Sequence, residues 1–229
     1  MGTCSCLGDA NREIPNTLPE VIFQEHSTLA ILYKNHESSM IPELKDVFCN
    51  LLSHRLSFIT KIIIFDQELG DVGIEILAKV FPELKFLTRL HLKNNGIGCK
   101  GAMKLADTLG TVNTLEYLNI TENILTDEGV DYICCCLPFL DKLKEVSLAQ
   151  NEISYVGAEH IKDAISNLDA LESLDISGNF INRRGIVKIT SVLRGMINFK
   201  SFDFKGNDMN KTDCESVKNL LPHVICLFN

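Results

Sequence analysis

The chain has 229 residues, 45% of them apolar, and carries 22 Lys and Arg against 30 Asp and Glu for a formal net charge of −8 at pH 7. That balance, with a pI near 5.3, argues against a general binder of nucleic-acid backbones, which needs a basic stripe. No long apolar run of roughly 18 residues occurs and the first residues lack the charged and apolar regions of a secretory signal, so a cytoplasmic protein is expected, with nine reduced cysteines.

The first six residues, MGTCSC, set Gly2 behind the initiator methionine with Cys4 and Cys6 close by, an arrangement that resembles the doubly acylated N-termini of some signalling proteins. Cys6 stands where the myristoylation pattern prefers Ser or Thr, and no basic cluster follows. One acyl chain binds membranes weakly, so an anchor on Gly2 would need a second chain on Cys4 or Cys6. Residues 1–20 therefore read in two ways, as a lipid anchor at the inner face of a membrane or as an unmodified flexible start.

Residues 21–58 read as a helical N-terminal cap. Ile41 to Leu56 carries Leu44, Val47, Phe48, Leu51, Leu52 and Leu56 at helical spacing, with Pro42 in the first turn. This amphipathic helix is expected to cover the open edge of the unit that follows. Leu18 to Tyr33 is a candidate for a second helix of unclear register.

From Ile59 onward one pattern recurs every 28 residues: LTRLHLKNNGI at Leu87 is followed in register by stretches starting at Leu115, Leu143, Leu171 and Phe199 and preceded by one at Ile59. Apolar residues at positions 1, 4, 6 and 11 of each unit alternate as in a strand. About a dozen residues later the spacing turns helical, as at Val130, Ile133 and Leu137. Such a unit is too small to bury its apolar face alone and must stack on its neighbours. The predicted fold over residues 59–229 is an α/β solenoid of six repeats and a short C-terminal cap, with a parallel concave sheet and convex helices.

Two further columns support that fold. Asn95, Asn123, Asn151, Asn179 and Asn207 recur at position 9, with Gln67 in the first unit, where a side-chain amide can satisfy buried backbone groups of the turn. Gly73, Gly101, Gly129, Gly157 and Gly185 recur at position 15, with Asp213 in the last unit. Close helix packing and unusual dihedrals both account for that column. At the chain's end, Val224 to Phe228 is expected to begin a seventh strand, which explains Cys226 better than a prenylation box ending in Phe-Asn.

Several chemical patterns dissolve into the repeat. Gly96-Ile-Gly98-Cys-Lys-Gly101 satisfies G-x-G-x-x-G between a strand and a helix, but Gly101 belongs to the glycine column and Asn95 to the asparagine column. Cys134, Cys135 and Cys136 have no zinc-ligand spacing, and the six histidines form no ligand cluster. Asp175 and Asp203 occupy equivalent places on adjacent strands, and such acids on an open face read as a solvated patch rather than a catalytic pair.

Outward-pointing strand positions supply the candidate surface. Its predicted partner-binding residues are Phe65, Arg89, His91, Lys93, Tyr117, Asn119, Glu122, Glu145, Asp175 and Asp203. The N-terminal third is apolar and basic, while Glu122, Glu145 and Asp175, with Glu116 and Glu172 beside them and opposed mainly by Lys144, make the middle acidic. Such a sign change suits a specific protein partner, with Phe65 and Tyr117 as anchors.

Units of 28 residues with the pattern L-x-x-L-x-L-x-x-N-x-I and a long helix resemble the ribonuclease-inhibitor-like class of leucine-rich repeats, over Ile59 to about Leu221. That class includes ribonuclease inhibitors, repeat domains of NOD-like receptors, the activating protein of the Ran GTPase and the actin-capping domain of tropomodulins. The resemblance implies a horseshoe and a non-enzymatic protein-binding module. This chain lacks the tryptophans, nucleotide-binding module or long acidic tail of those proteins, so no specific activity is carried over. The reading is a scaffold or adaptor that binds a protein partner through its concave face as a monomer, with no cofactor, metal or nucleic acid. Alternatives are a regulator of a small GTPase, offering Asn95 or Lys93 to its partner's site, and a cytoskeletal component, actin-capping or axonemal.

Overall fold

A computed structural model describes residues 20–24, 28–32 and 58–228; Gly2, Cys4, Cys6 and the predicted helix Ile41 to Leu56 lie outside them. Each repeat supplies one short strand and one helix. The strands are β3 (Lys61–Ile64), β4 (Arg89–His91), β5 (Tyr117–Asn119), β6 (Glu145–Ser147), β7 (Ser173–Asp175) and β8 (Ser201–Asp203). The helices are α1 (Gly70–Ala78), α2 (Cys99–Leu109), α3 (Thr126–Cys136), α4 (Tyr155–Ile165), α5 (Arg183–Leu193) and α6 (Lys211–Leu220). All six strands pair in parallel, residue for residue at the repeat spacing, as Ile62 with Leu90 and Leu90 with Leu118. Position 4 thereby stacks into one buried column of Ile62, Leu90, Leu118, Val146, Leu174 and Phe202 against the helices.

At the N-terminal edge the expectation of a second helix from Leu18 to Tyr33 is corrected. β1 (Glu20–Gln24) and β2 (Thr28–Leu32) form an antiparallel hairpin, and β2 adds to β3 in parallel. The physical reason is twofold. Val21, Ile22, Phe23, Thr28 and Ile31 favour extended backbone, and the edge of β3 offers unpaired N–H and C=O groups that a strand can satisfy and a helix cannot. The β2 to β3 offset is 33 residues, as in Leu29 with Ile62, rather than the repeat's 28.

The seventh repeat strand, β9 (Ile225–Leu227), pairs with β8, but Ser201 meets Ile225. Leu227 thus falls opposite Asp203 at position 5, not at the position 1 expected from the unbroken period. Pro222 directly after α6 turns the chain early. Phe199, Phe202, Phe204 and Phe228 close this end of the core, with the last two rings stacked at 5.7 Å.

The asparagine column performs the predicted task. The Asn95, Asn123, Asn179 and Asn207 amides each donate to a carbonyl of the preceding unit and one of their own, and each side-chain oxygen accepts from preceding backbone N–H groups. Buried turn groups that water cannot reach are satisfied in this way. The open question at position 15 is settled as close packing: the column's glycines have no positive φ, and a Cβ on Gly157 would stand 2.5 Å from Ile153 Cγ2 and 2.6 Å from Asp127 Oδ1. In the last unit Asp213 replaces glycine and pairs with Arg183 Nε at 2.9 Å.

Candidate functional site

The parallel register converts sequence columns into rows of neighbouring side chains on the concave sheet. At position 2 the row runs Thr60, Thr88, Glu116, Lys144, Glu172, Lys200, and the charges cancel in neighbouring pairs. Lys144 reaches Glu116 at 2.8 Å and Lys200 reaches Glu172 at 2.6 Å. Lys93 reaches Glu122 at 2.8 Å, and this contact raises the lysine's pKa. The acidic middle expected from the sequence is therefore largely neutralised. Glu145 is the exposed acid of that group with no ion pair among the described residues.

Position 5 has a structural duty. Asn119 Oδ1, Asp175 Oδ1 and Asp203 Oδ1 each accept the backbone N–H two residues on, at Thr121, Ser177 and Lys205, at 3.0 to 3.1 Å. These Asx bonds bend the chain out of the strand. Position 8 follows in the left-handed region in every unit, from Asp66 at φ 58° to Gly206 at φ 68°, so Glu122 is a turn residue rather than a strand face. Ala149, at position 7 of its unit where Phe65 is exposed, is buried.

What remains outward and concentrated is a diagonal at β3 to β5. The Phe65 and His91 rings lie 6.3 Å apart, as do those of His91 and Tyr117, so position 7 of one strand, 5 of the next and 3 of the third form one aromatic stripe. The Arg89 guanidinium lies 4.2 Å from the centre of the Tyr117 ring, a cation–π geometry that fixes the long side chain. The Asn119 amide donates to Tyr117 Oη at 3.0 Å. Burial lowers the His91 pKa, with Lys93 and Arg89 adding to the effect and Asp66 opposing it, so the ring is held neutral near pH 7.

The glycine-rich decoy has a direct explanation. Gly98 and Gly101 both donate their backbone N–H to Asp71 Oδ1 at 2.8 Å, which puts a side-chain carboxylate where a phosphate would have to lie. Asp127 does the same for Ser154 and Gly157 one pair of repeats later. Among the described residues no group of three or more His, Cys, Asp or Glu could hold a metal ion, and none of the described helices is long and apolar enough to cross a membrane.

Comparison with known families bears directly on these columns. A family model described as "Leucine Rich repeat" matches residues 83–106 and 113–134, which span the strand, turn and helix of two neighbouring units. The chain is a leucine-rich-repeat protein. The match reaches the repeat family and not its ribonuclease-inhibitor-like class. Among solved structures, "Leiomodin-1 Actin-Binding Site 2 (ABS2)" is similar over 57% of this chain and 78% of that one, with 16% identity and a TM-score of 0.46. No curated protein matches.

In this leucine-rich-repeat protein the structure brings together Phe65, Arg89, His91 and Tyr117 from the predicted list. It assigns Lys93 and Glu122 to each other and Asn119, Asp175 and Asp203 to turns. One feature was missed: a cleft of about 540 Å³ at the C-terminal end, lined by Leu193, Met196, Ile197, Leu220, Pro222 and Val224. Its signal was in the sequence, because Ile197 is 99% exposed at a column otherwise held by Lys85, Asn113, Asp141 and Asp169.

Proposed function

We propose that this leucine-rich-repeat protein is a non-enzymatic interaction module that binds a partner protein through its concave face, centred on β3 to β5. The observation that carries this reading is the Phe65, His91 and Tyr117 stripe with Arg89 laid over Tyr117. Aromatic rings and a stacked guanidinium give contact area at low entropy cost, the composition of interface hot spots. Leucine-rich repeats are in general protein-interaction modules. Attachment to the inner face of a membrane through acylated Gly2 with Cys4 or Cys6 belongs to the same proposal and is supported by sequence alone.

The test is affinity capture of tagged full-length protein from its native cells with three forms: wild type, Phe65→Ala with Tyr117→Ala, and the convex control Lys100→Ala. Loss of the dominant partner in the concave variant alone is expected. An unchanged partner set would move binding to another surface. Fractionation of wild type and Gly2→Ala tests the anchor, and equal solubility of the two would remove it.

A further inference from the structure

The charge inventory of the concave face is uneven. Lys93, Lys144, Lys200 and Lys205 each have a carboxylate within 3.1 Å. Lys61 and Arg89 have none among the described residues, yet the register sets them directly opposite each other on β3 and β4. Parallel strands lie about 4.8 Å apart, and like charges facing across them repel. In a chain of net charge −8, with ion pairs built into the neighbouring rows, two facing cations are left unmatched, and Glu145, the exposed acid without an ion pair among the described residues, stands beyond Tyr117 in the same row.

Their surroundings restrict what could match them. Arg89 is held by the Tyr117 ring, which presents a planar fork of donors suited to a carboxylate. Phe65 and His91 continue an apolar surface beside it, and the neutral imidazole adds no further positive charge there. Asp66, held by the Asn94 amide at 2.8 Å, and Glu122 flank the patch. These two acids tolerate a single compact negative charge better than a phosphate dianion or a nucleic-acid strand.

Resting on the concave-face reading above, we infer that the β3 to β5 end of the sheet takes an acidic peptide segment of the partner, in which a carboxylate side chain bridges Lys61 and Arg89 and a neighbouring aromatic or large apolar side chain lies on the Phe65, His91 and Tyr117 stripe. The carboxylate supplies the missing charge and specificity of orientation; the apolar residue supplies buried area.

Fluorescence anisotropy with the full chain tests this using labelled dodecapeptides of Asp, Phe and Ser. Companions replace Asp by Lys, Phe by Ser, or Asp by phosphoserine. The acidic aromatic peptide is expected to bind, to weaken at least tenfold with Arg89→Glu or Lys61→Glu, and to weaken when Phe is removed. Circular dichroism shows whether each variant is folded, and Lys200→Ala, on β8's side of the concave face and paired with Glu172 rather than with the patch, serves as a concave control that should keep binding. Equal affinity in wild type, Arg89→Glu and Lys61→Glu would overturn the inference, as would a wild type that binds none of the peptides. Preference for the Lys peptide, lost in Glu145→Lys, would overturn it while keeping the concave-face reading. A tenfold preference for phosphoserine over Asp would overturn the carboxylate assignment. If partner capture is also unaffected by Phe65→Ala with Tyr117→Ala, the concave-face reading itself falls.

Discussion

Asn123 Oδ1 accepts the backbone N–H of Asn95 at 3.1 Å, one repeat away and at the same place in its turn. The same oxygen accepts Ile97 N–H at 3.0 Å, and the amide donates to the carbonyls of Leu92, Ile120 and Thr121. Asn151 differs: its amide donates to Ile120 and Ala149, but its buried side-chain oxygen has no partner. Truncating Asn123 orphans buried groups of both signs, at about 1–3 kcal/mol each before relaxation. We expect Asn123→Ala to cost about 3–4 kcal/mol and Asn151→Ala about 1–2 kcal/mol less. Urea denaturation of the two variants checks this, and equal losses would contradict it.

A second contrast separates packing glycines from spacer glycines. Ala at position 157 would press its Cβ within 3 Å of Ile153, Asp127 and Val130, an overpacking that costs about 1–3 kcal/mol. Gly110 follows α2 in right-handed helical conformation, and its added Cβ would meet only ordinary contacts, the nearest being Phe139 at 3.7 Å. Gly110→Ala should be neutral or stabilise by up to about 1 kcal/mol through the unfolded chain. Thermal denaturation distinguishes them; a destabilising Gly110→Ala would show that the loop needs freedom beyond its observed dihedrals.

Period and polarity made the repeat legible because both follow from burial. Leu90 and Leu92 had to face in, and Asn95 had to satisfy a turn, so one sequence sufficed to place them. The hairpin at Glu20 to Leu32 was not legible: its edge-sealing role depends on unpaired groups of β3, a tertiary demand invisible in a local window. The candidate surface was legible as a set of outward residues but not as a site. Whether Glu122 is a free acid depends on Lys93, which stands 29 residues earlier in sequence and 2.8 Å away in space. Position 8 looked like strand, and its left-handed backbone was hidden because Asp66, Asn94, Glu122 and Gln150 adopt it as well as Gly178 and Gly206. The aromatic diagonal crosses three columns, so inspection by column splits it.

The run of three cysteines on α3 should show graded reactivity. Cys134 and Cys136 are buried, and burial pushes the Cys136 thiol up to about 12 and that of Cys134 well above its ordinary value. Cys135 points to solvent. Thiolate is the reactive form, so iodoacetamide near neutral pH should modify Cys135 well before its neighbours, as read by peptide mass spectrometry over time. Equal labelling of Cys136 in the native state would mean that α3 opens readily.

His91 should make stability depend on acid. Its pKa lies below the ordinary 6.5, chiefly through burial and then through Lys93 and Arg89, against Asp66. The folded chain thus prefers the neutral ring, and the unfolded chain takes up its proton first as pH falls. The contribution is fully present above 6.5, is lost as pH falls from there through the folded-state pKa, and is constant below it. Carboxylates elsewhere shift stability in the same pH range, so the test is the difference between wild type and His91→Phe. The substitution keeps a ring between Phe65 and Tyr117 and removes the titration. Denaturation midpoints measured from about pH 8 to about pH 5 should show wild type losing ground relative to His91→Phe on acidification. A gap that is constant with pH, or an imidazole NMR titration centred above 6.5, would contradict the buried neutral ring.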